Sequence, residues 1–113
     1  MKPESSIEVL QQLDIRVGEI IRAEAFPEAR KPAIKLWIQF GAELGVLQSS
    51  AQITLRYNPQ SLTGKQVIAV VNFPVRRVAG FKSECLVLGA SNHNGDVILL
   101  QPDTYVEPGW EIA

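Results

Sequence analysis

Residues 15–25, Ile-Arg-Val-Gly-Glu-Ile-Ile-Arg-Ala-Glu-Ala, decide the fold. β-Branched side chains crowd this run and favour a strand, while Gly18 inside it would weaken either a helix or a flat strand. A glycine at that point fits a bulge or sharp bend, the device that lets one long strand serve both sides of a small barrel. Phe26-Pro27 then ends the strand.

On its C-terminal side the next segment, residues 33–41, alternates strictly. Ile34, Leu36, Ile38 and Phe40 take one face and Lys35, Trp37 and Gln39 the other, the period of a half-buried strand. A turn at residues 43–45 leads into a return strand over 46–50, and residues 57–62 (YNPQSL) read as a turn into a short helical piece closed by Gly64. Residues 65–73 (KQVIAVVNF) form a β-branched run that stops at Pro74. Further short strands are predicted over 84–90 and 97–101, joined through Asn92-His93-Asn94-Gly95, where Asn-Gly signals a hairpin. On the N-terminal side, Ser5 or Ser6 caps a short helix with Glu8 near its third position and apolar residues at 7, 10 and 13.

Strands in this order, with one short helical connection before the fourth and a glycine bend in the first, fit an all-β, five-stranded Greek-key barrel of the OB type. An SH3-like barrel is the rival. The expected organisation is one domain over 1–113: an N-terminal extension (1–13), the barrel (14–101) and an irregular tail (102–113) carrying Pro102, Pro108 and Gly109. A chain of 113 residues closes one core and not two. Residues 66–71 and 97–100 are apolar on both faces, so terminal segments or a second subunit are expected to cover some of that surface.

The formal net charge of −1 speaks against a polyanion ligand, but its distribution speaks for one. Residues 1–28 balance to −3, residues 29–83 to +7 (eight bases against Glu43 alone) and residues 84–113 to −5, which together return −1. An acid-free stretch from Leu44 to Ser83 suggests a polyanion partner, unless the acidic ends fold back and neutralise it.

Catalysis is poorly supplied. One cysteine, Cys85, and one histidine, His93, exclude a disulfide framework and a multi-thiolate metal site. His93 sits in a polar turn, and Cys85 is flanked by Glu84 and a strand of leucine and valine, which reads as a small buried hydrophobe. The expectation is a non-enzyme with no cofactor and no metal. With no apolar run of the ~18 residues a membrane span needs, and no signal-peptide core, a cytoplasmic protein without membrane insertion is expected.

Binding signals are richer. Lys35, Trp37 and Gln39 line one strand face, either a platform for a base or peptide or a covered rim. Gln48-Ser49-Ser50-Ala51-Gln52 offers hydroxyls and amides. Arg76 and Arg77, followed by Gly80 and Lys82-Ser83, are either phosphate ligands on a tight loop or solvated turn charges.

Three separated motifs resemble the tRNA-binding domain family: Asp14-Ile15-Arg16-Val17-Gly18, Phe26-Pro27-Glu28-Ala29, and Val71-Asn72-Phe73-Pro74 through Arg76-Arg77 to Gly80-Phe81-Lys82-Ser83-Glu84. Within that family FPEARKPAIKL, QSSAQIT and VVNFPVRRVAGFKSE look most like a small bacterial branch described as export-related chaperones. The resemblance implies an OB-fold homodimer, joined through the helical extension and tail, that binds tRNA by shape and phosphate contacts. It also implies unfolded preproteins and the export machinery as further partners, in place of catalysis. By motif, Lys35, Ser49, Ser50, Gln52, Arg76, Arg77, Lys82 and Ser83 are the expected RNA-facing residues, with Trp37 and Phe81 as peptide anchors. The segment Arg30-Lys31-Pro32-Ala33-Ile34 is longer than the family's, leaving Lys31 or Lys35 as its lysine, and Pro74-Val75 replaces the usual Lys-Pro. A purely chaperone-like peptide binder is the alternative function. In the dimer the acidic termini are expected to lie away from the binding face.

Overall fold

The computed structural model describes all 113 residues. After a short helix α1 (Ile7–Gln11), the long strand β1 (Ile15–Ala25) pairs antiparallel with β2 (Ile34–Gln39), which pairs with β3 (Val46–Ala51). On its other edge β1 pairs with β4 (Gln66–Val70), reached through the 3-10 turn Pro59–Ser61, and β4 pairs with the short β7 (Leu86–Val87). The order β3-β2-β1-β4-β7 makes a nearly closed five-stranded barrel of the OB type. Asn58 caps the 3-10 turn reciprocally with Ser61, and Pro59 at its first position pre-sets the backbone.

The seam closes between β3 and the chain leading into β7. Glu84 N–H donates to the Gln48 carbonyl at 2.7 Å, Gln48 N–H to Glu84 Oε1 at 2.9 Å, and Ser49 Oγ to the Cys85 carbonyl at 2.8 Å. Inside lie Ile20, Ile34, Leu36, Ile38, Phe40 and Val67, all fully buried. The alternation over 34–39 is realised residue by residue, while β4 is buried on both faces: Val67 and Ala69 join the core, and on the opposite face Gln66 holds the Val106 backbone of the tail.

Several details depart from the sequence reading. The register slip of β1 against β2 falls between Ile20 and Arg22, so the bulge lies at Ile21 and not at Gly18. Gly18 serves close packing instead: a Cβ there would lie 2.5 Å from Ile38 Cγ2 and 2.7 Å from Phe40 Cε1. The predicted strand over 84–90 divides at Leu88 into β7 and β8 (Gly89–Ser91), because Leu88 N–H still bonds Ile68 beside β7 while its carbonyl accepts from Leu100 and β8 pairs with β9 (Val97–Leu99). The loop over 76–83 is a hairpin, β5 (Arg76–Val78) and β6 (Phe81–Ser83), joined by Ala79 at φ 47° and Gly80 at φ 84°. Positive φ at both turn residues matches the right-handed twist of the strands, at a steric cost for Ala79.

The tail, read as irregular, adds a short antiparallel contact to the first residues of β1, on the edge that β2 leaves unpaired before Glu19. Gly109 N–H donates to Val17, Val17 N–H to Trp110, and Ile112 N–H to Ile15. α1 behaves differently: Ser6 caps it without a side-chain hydrogen bond, and none of its residues is buried. No helix is long and apolar enough to cross a membrane.

Gly18→Ala is expected to lower stability by about 1–3 kcal/mol, the cost of overpacking a close-packed core. The urea unfolding midpoint measures it, and an unchanged midpoint would show that Ile38 and Phe40 yield freely.

Candidate nucleic-acid interface

A groove of about 680 Å³ lies between the loop following β1, the end of β3 and the β5–β6 hairpin. Buried Ala33, Ala51, Ile53 and Cys85 form its floor. Exposed Arg30, Lys31, Gln52, Phe73 and Arg76 stand on its walls, with Ser50, Ser83 and Glu84 half-buried among them. Ser50 N–H donates to Ser83 Oγ at 3.1 Å, which joins β3 to the hairpin.

Strand geometry sorts the expected site residues. Arg76 pairs across the hairpin with Ser83, and Arg77 with Lys82. Because successive side chains point to opposite faces, Arg76 and Ser83 share the groove side, whereas Arg77 and Lys82 share the other. The adjacent arginines are therefore not a joint clamp. The same alternation separates Ser49 from Ser50. Ser49 is 1% exposed and spends its hydroxyl on the Cys85 carbonyl, so this expected RNA-facing residue is a barrel-closing one.

Trp37 and Phe81 meet each other. Their rings stand edge to face at 5.6 Å, Phe81 packs likewise on Phe26 at 5.5 Å, and Trp37 Nε1 donates to Gln48 Oε1. Arg22 lies over Trp37 at 4.7 Å, and Lys35 Nζ over Phe26 at 4.8 Å and Phe81 at 5.3 Å. The expected peptide anchors thus fasten the hairpin to the barrel, capped by cations. Of the alternative lysines, Lys31 lines the groove and Lys35 covers this aromatic cluster. Gln39 turns back to its own strand end, accepting from Gly41 N–H.

Sequence reasoning missed Arg30, Phe73 and Glu84 as groove residues. The first was a signal present in the positive segment. Phe73 was hidden in an apolar run and is 43% exposed beside Pro74.

The electrostatics favour an anion. Of the eight bases in residues 29–83, only Arg56 is ion-paired, bidentately with Asp96 at 2.6 and 2.7 Å, which leaves seven free. The other ion pairs belong to Arg16, with Asp14, Glu43 and Glu111, and to Arg22 with Glu24. The acidic ends therefore neutralise the middle only at Arg56, through Asp96, and Glu84 is the one carboxylate on the groove walls. No cluster of side chains suited to a metal ion is present. Burial pushes the Cys85 thiol up to about 12, against a lowering by its contact with Ser49.

A barrel of this topology with a cationic groove beside its third strand is an OB-fold binding module. The family model described as "Putative tRNA binding domain" matches residues 15–111, and the chain belongs to that family. Among solved structures it is similar to the chaperone CsaA from Bacillus anthracis str. Ames, with a TM-score of 0.93 and 56% identity, covering 98% of this chain and 100% of that one. A CsaA chaperone protein from Picrophilus torridus gives a TM-score of 0.90 and 46% identity, covering 97% and 100%. Among curated proteins, the methionine–tRNA ligase of Archaeoglobus fulgidus is 37% identical over 112 residues, 99% of this chain. The chain spans 16% of that ligase's length.

Cys85 is expected to react with a disulfide reagent at pH 8 only on unfolding. Its folded pKa is raised, so the neutral thiol's contribution to stability is complete below the unfolded value of 9.0 and is lost as pH rises towards about 12. Absorbance of the released thiolate, with and without denaturant, checks it. Rapid reaction of the folded chain would contradict the burial.

Proposed function

We propose that this chain is a non-catalytic, cytoplasmic homodimer that binds tRNA, with backbone phosphates on Arg30, Lys31 and Arg76 and with Ser50, Gln52 and Ser83 supplying neutral contacts. The observation that carries it is the groove whose cations have no carboxylate partner. Arg77 and Lys82 extend the positive surface to the hairpin's other face, and Lys35 lies over Phe81 on the groove-side face, so an RNA that spans the hairpin meets both faces. Recognition of this kind reads shape and phosphate spacing, with exposed bases touching the groove.

A second reading is favoured by the groove's apolar floor and by the exposure of Phe73, Val75 and Leu86 around it. Such a surface suits extended, unfolded segments, and the similar solved structures are of CsaA chaperones. Preproteins awaiting export are then the clients. Salt separates the readings: phosphate binding releases counterions and weakens steeply with salt, whereas apolar binding does not.

The dimer rests on unsatisfied apolar surface. Ile7, Val9 and Leu10 of α1 are 60%, 53% and 46% exposed, and Trp110 and Ile112 of the tail 59% and 42%. A helix of five residues with nothing buried does not hold its shape in water without tertiary contact, and a second copy supplies one.

Titrating tRNA against the protein over a salt series is expected to give a log–log slope of about −0.7 to −0.9 per phosphate neutralised, shallower by about one phosphate for Arg76→Ala. Ser49→Ala should leave the slope unchanged. Absence of binding at low salt rejects the tRNA reading, and a slope near zero leaves the peptide reading in its place. Light scattering is expected to report twice 12.5 kDa for the wild type and one unit for a Leu10→Glu variant; a wild-type monomer rejects the dimer.

A further inference from the structure

Glu84 stands where a phosphate-binding surface should not carry it. It is the one carboxylate on the groove walls, among Arg30, Lys31 and Arg76, and it forms no ion pair with any of them. It is also rigidly held. Its backbone N–H donates to the Gln48 carbonyl at 2.7 Å, and its Oε1 accepts from Gln48 N–H at 2.9 Å. A neutral amide could accept that N–H equally well, so capping β3 does not require a charge. The second carboxylate oxygen takes no hydrogen bond within the chain, and it is not a buried unpaired atom, so it is open to solvent. A fixed carboxylate there repels phosphate and attracts N–H donors.

Base edges differ in what they offer such a group. Guanine presents N1–H and the N2 amino group side by side, one donor for the open oxygen and one for the lone pair that Oε1 keeps beside its bond from Gln48. Adenine and cytosine place a bare ring nitrogen beside their amino group, and uracil flanks one imino N–H with carbonyls, so each of these sets a lone pair against the carboxylate. The remaining features fit one nucleotide. The groove's volume, about 680 Å³, is that of a small-molecule site. Its floor of Ala33, Ala51 and Ile53 lowers the local dielectric around a base, and Phe73 at the wall offers a ring face for stacking. Arg30, Lys31 and Arg76 on the walls carry the charge that a nucleotide's phosphate needs.

We infer that the groove captures an unpaired guanine nucleotide of the bound RNA, with Glu84 as the residue that selects guanine. This deepens the tRNA reading above and rests on it. Because only unstacked bases present their Watson–Crick edge to a side chain, the captured residue belongs to a loop or a free end.

The test titrates GMP, IMP, AMP, CMP and UMP separately into the full chain, following the amides of Gln48, Ser83 and Glu84 by NMR, with wild type and Glu84→Gln in parallel. The wild type is expected to bind GMP about tenfold more tightly than AMP, CMP or UMP, in line with a bidentate base contact, with IMP, which lacks the amino group, between them. Glu84→Gln keeps the bond from Gln48 and is expected to erase the preference for GMP. Equal binding of all five, no binding of GMP, or a GMP preference that survives in Glu84→Gln overturns the inference. Salt-dependent binding of tRNA by the same sample, alongside such a result, shows that guanine selection alone has failed; loss of tRNA binding as well shows that the reading beneath it has failed.

Discussion

Arg16 is the constraint on which the arrangement of this chain depends. Its side chain is 10% exposed, yet it is fully committed: Nε and one amino group bond Asp14, and the other amino group bonds Glu43 and the Gly109 carbonyl, with Glu111 at 3.5 Å. Its hydrogen bonds to Asp14 and then Glu43 raise its pKa, so the buried charge is never shed. A buried guanidinium with every donor occupied is tolerable, and one with donors unpaired is not, so the groups around it must come together. They come from the start of β1, from the β2–β3 turn and from the tail. The tail can follow because Gly41 and Gly109 let their backbones touch: a Cβ on Gly109 would lie 2.5 Å from the Phe40 carbonyl oxygen.

This gathering also explains why a near-neutral chain can present a cationic surface. Asp14, Glu43 and Glu111 are held around one arginine, and none of them lines the groove. The molecule measures 39 × 36 × 28 Å, several times the ~8–10 Å over which salt screens exposed charge, so placement governs what a ligand feels. A sum of −1 over such a body says little about any one face.

The same sorting marks what sequence can and cannot reveal. The barrel was legible because its signals are periodic: alternation over 34–39, a two-sided run over 66–70, and a proline-led 3-10 turn before β4. The hairpin over 76–83 was not. Its six strand residues are polar or mixed, and its turn puts Ala79 where glycine or asparagine would announce it. Gly18 was legible as a special position but not as which kind, since a bulge and a close contact both ask for a missing side chain. For the site, residue type was readable and facing was not. Ser49 and Ser50 differ by one step along β3, as Arg76 and Arg77 do along β5, and a step of one reverses the face.

The aromatic cluster shows how far facing changes function. Trp37 and Phe81 have the composition of a stacking platform, but both ring edges and cations are already engaged with them: Phe81 on Phe26 and Trp37, Arg22 on Trp37, Lys35 on Phe26 and Phe81. A base could stack there only by displacing a guanidinium or an ammonium whose charge an RNA ligand needs. Those rings contribute by rigidity, holding β5 and β6 against β3 so that Arg76 and Ser83 keep a fixed distance from Ser50. Stacking capacity then falls to Phe73, which no aromatic partner holds and which follows the Val71-Asn72 exit from β4. By strand alternation Phe81 lies on the same face of the hairpin as Arg76 and Ser83, so the aromatic contacts that pin the hairpin also set the groove beside them, and that anchoring, more than the count of lysines and arginines, is what makes one edge of this barrel a binding surface.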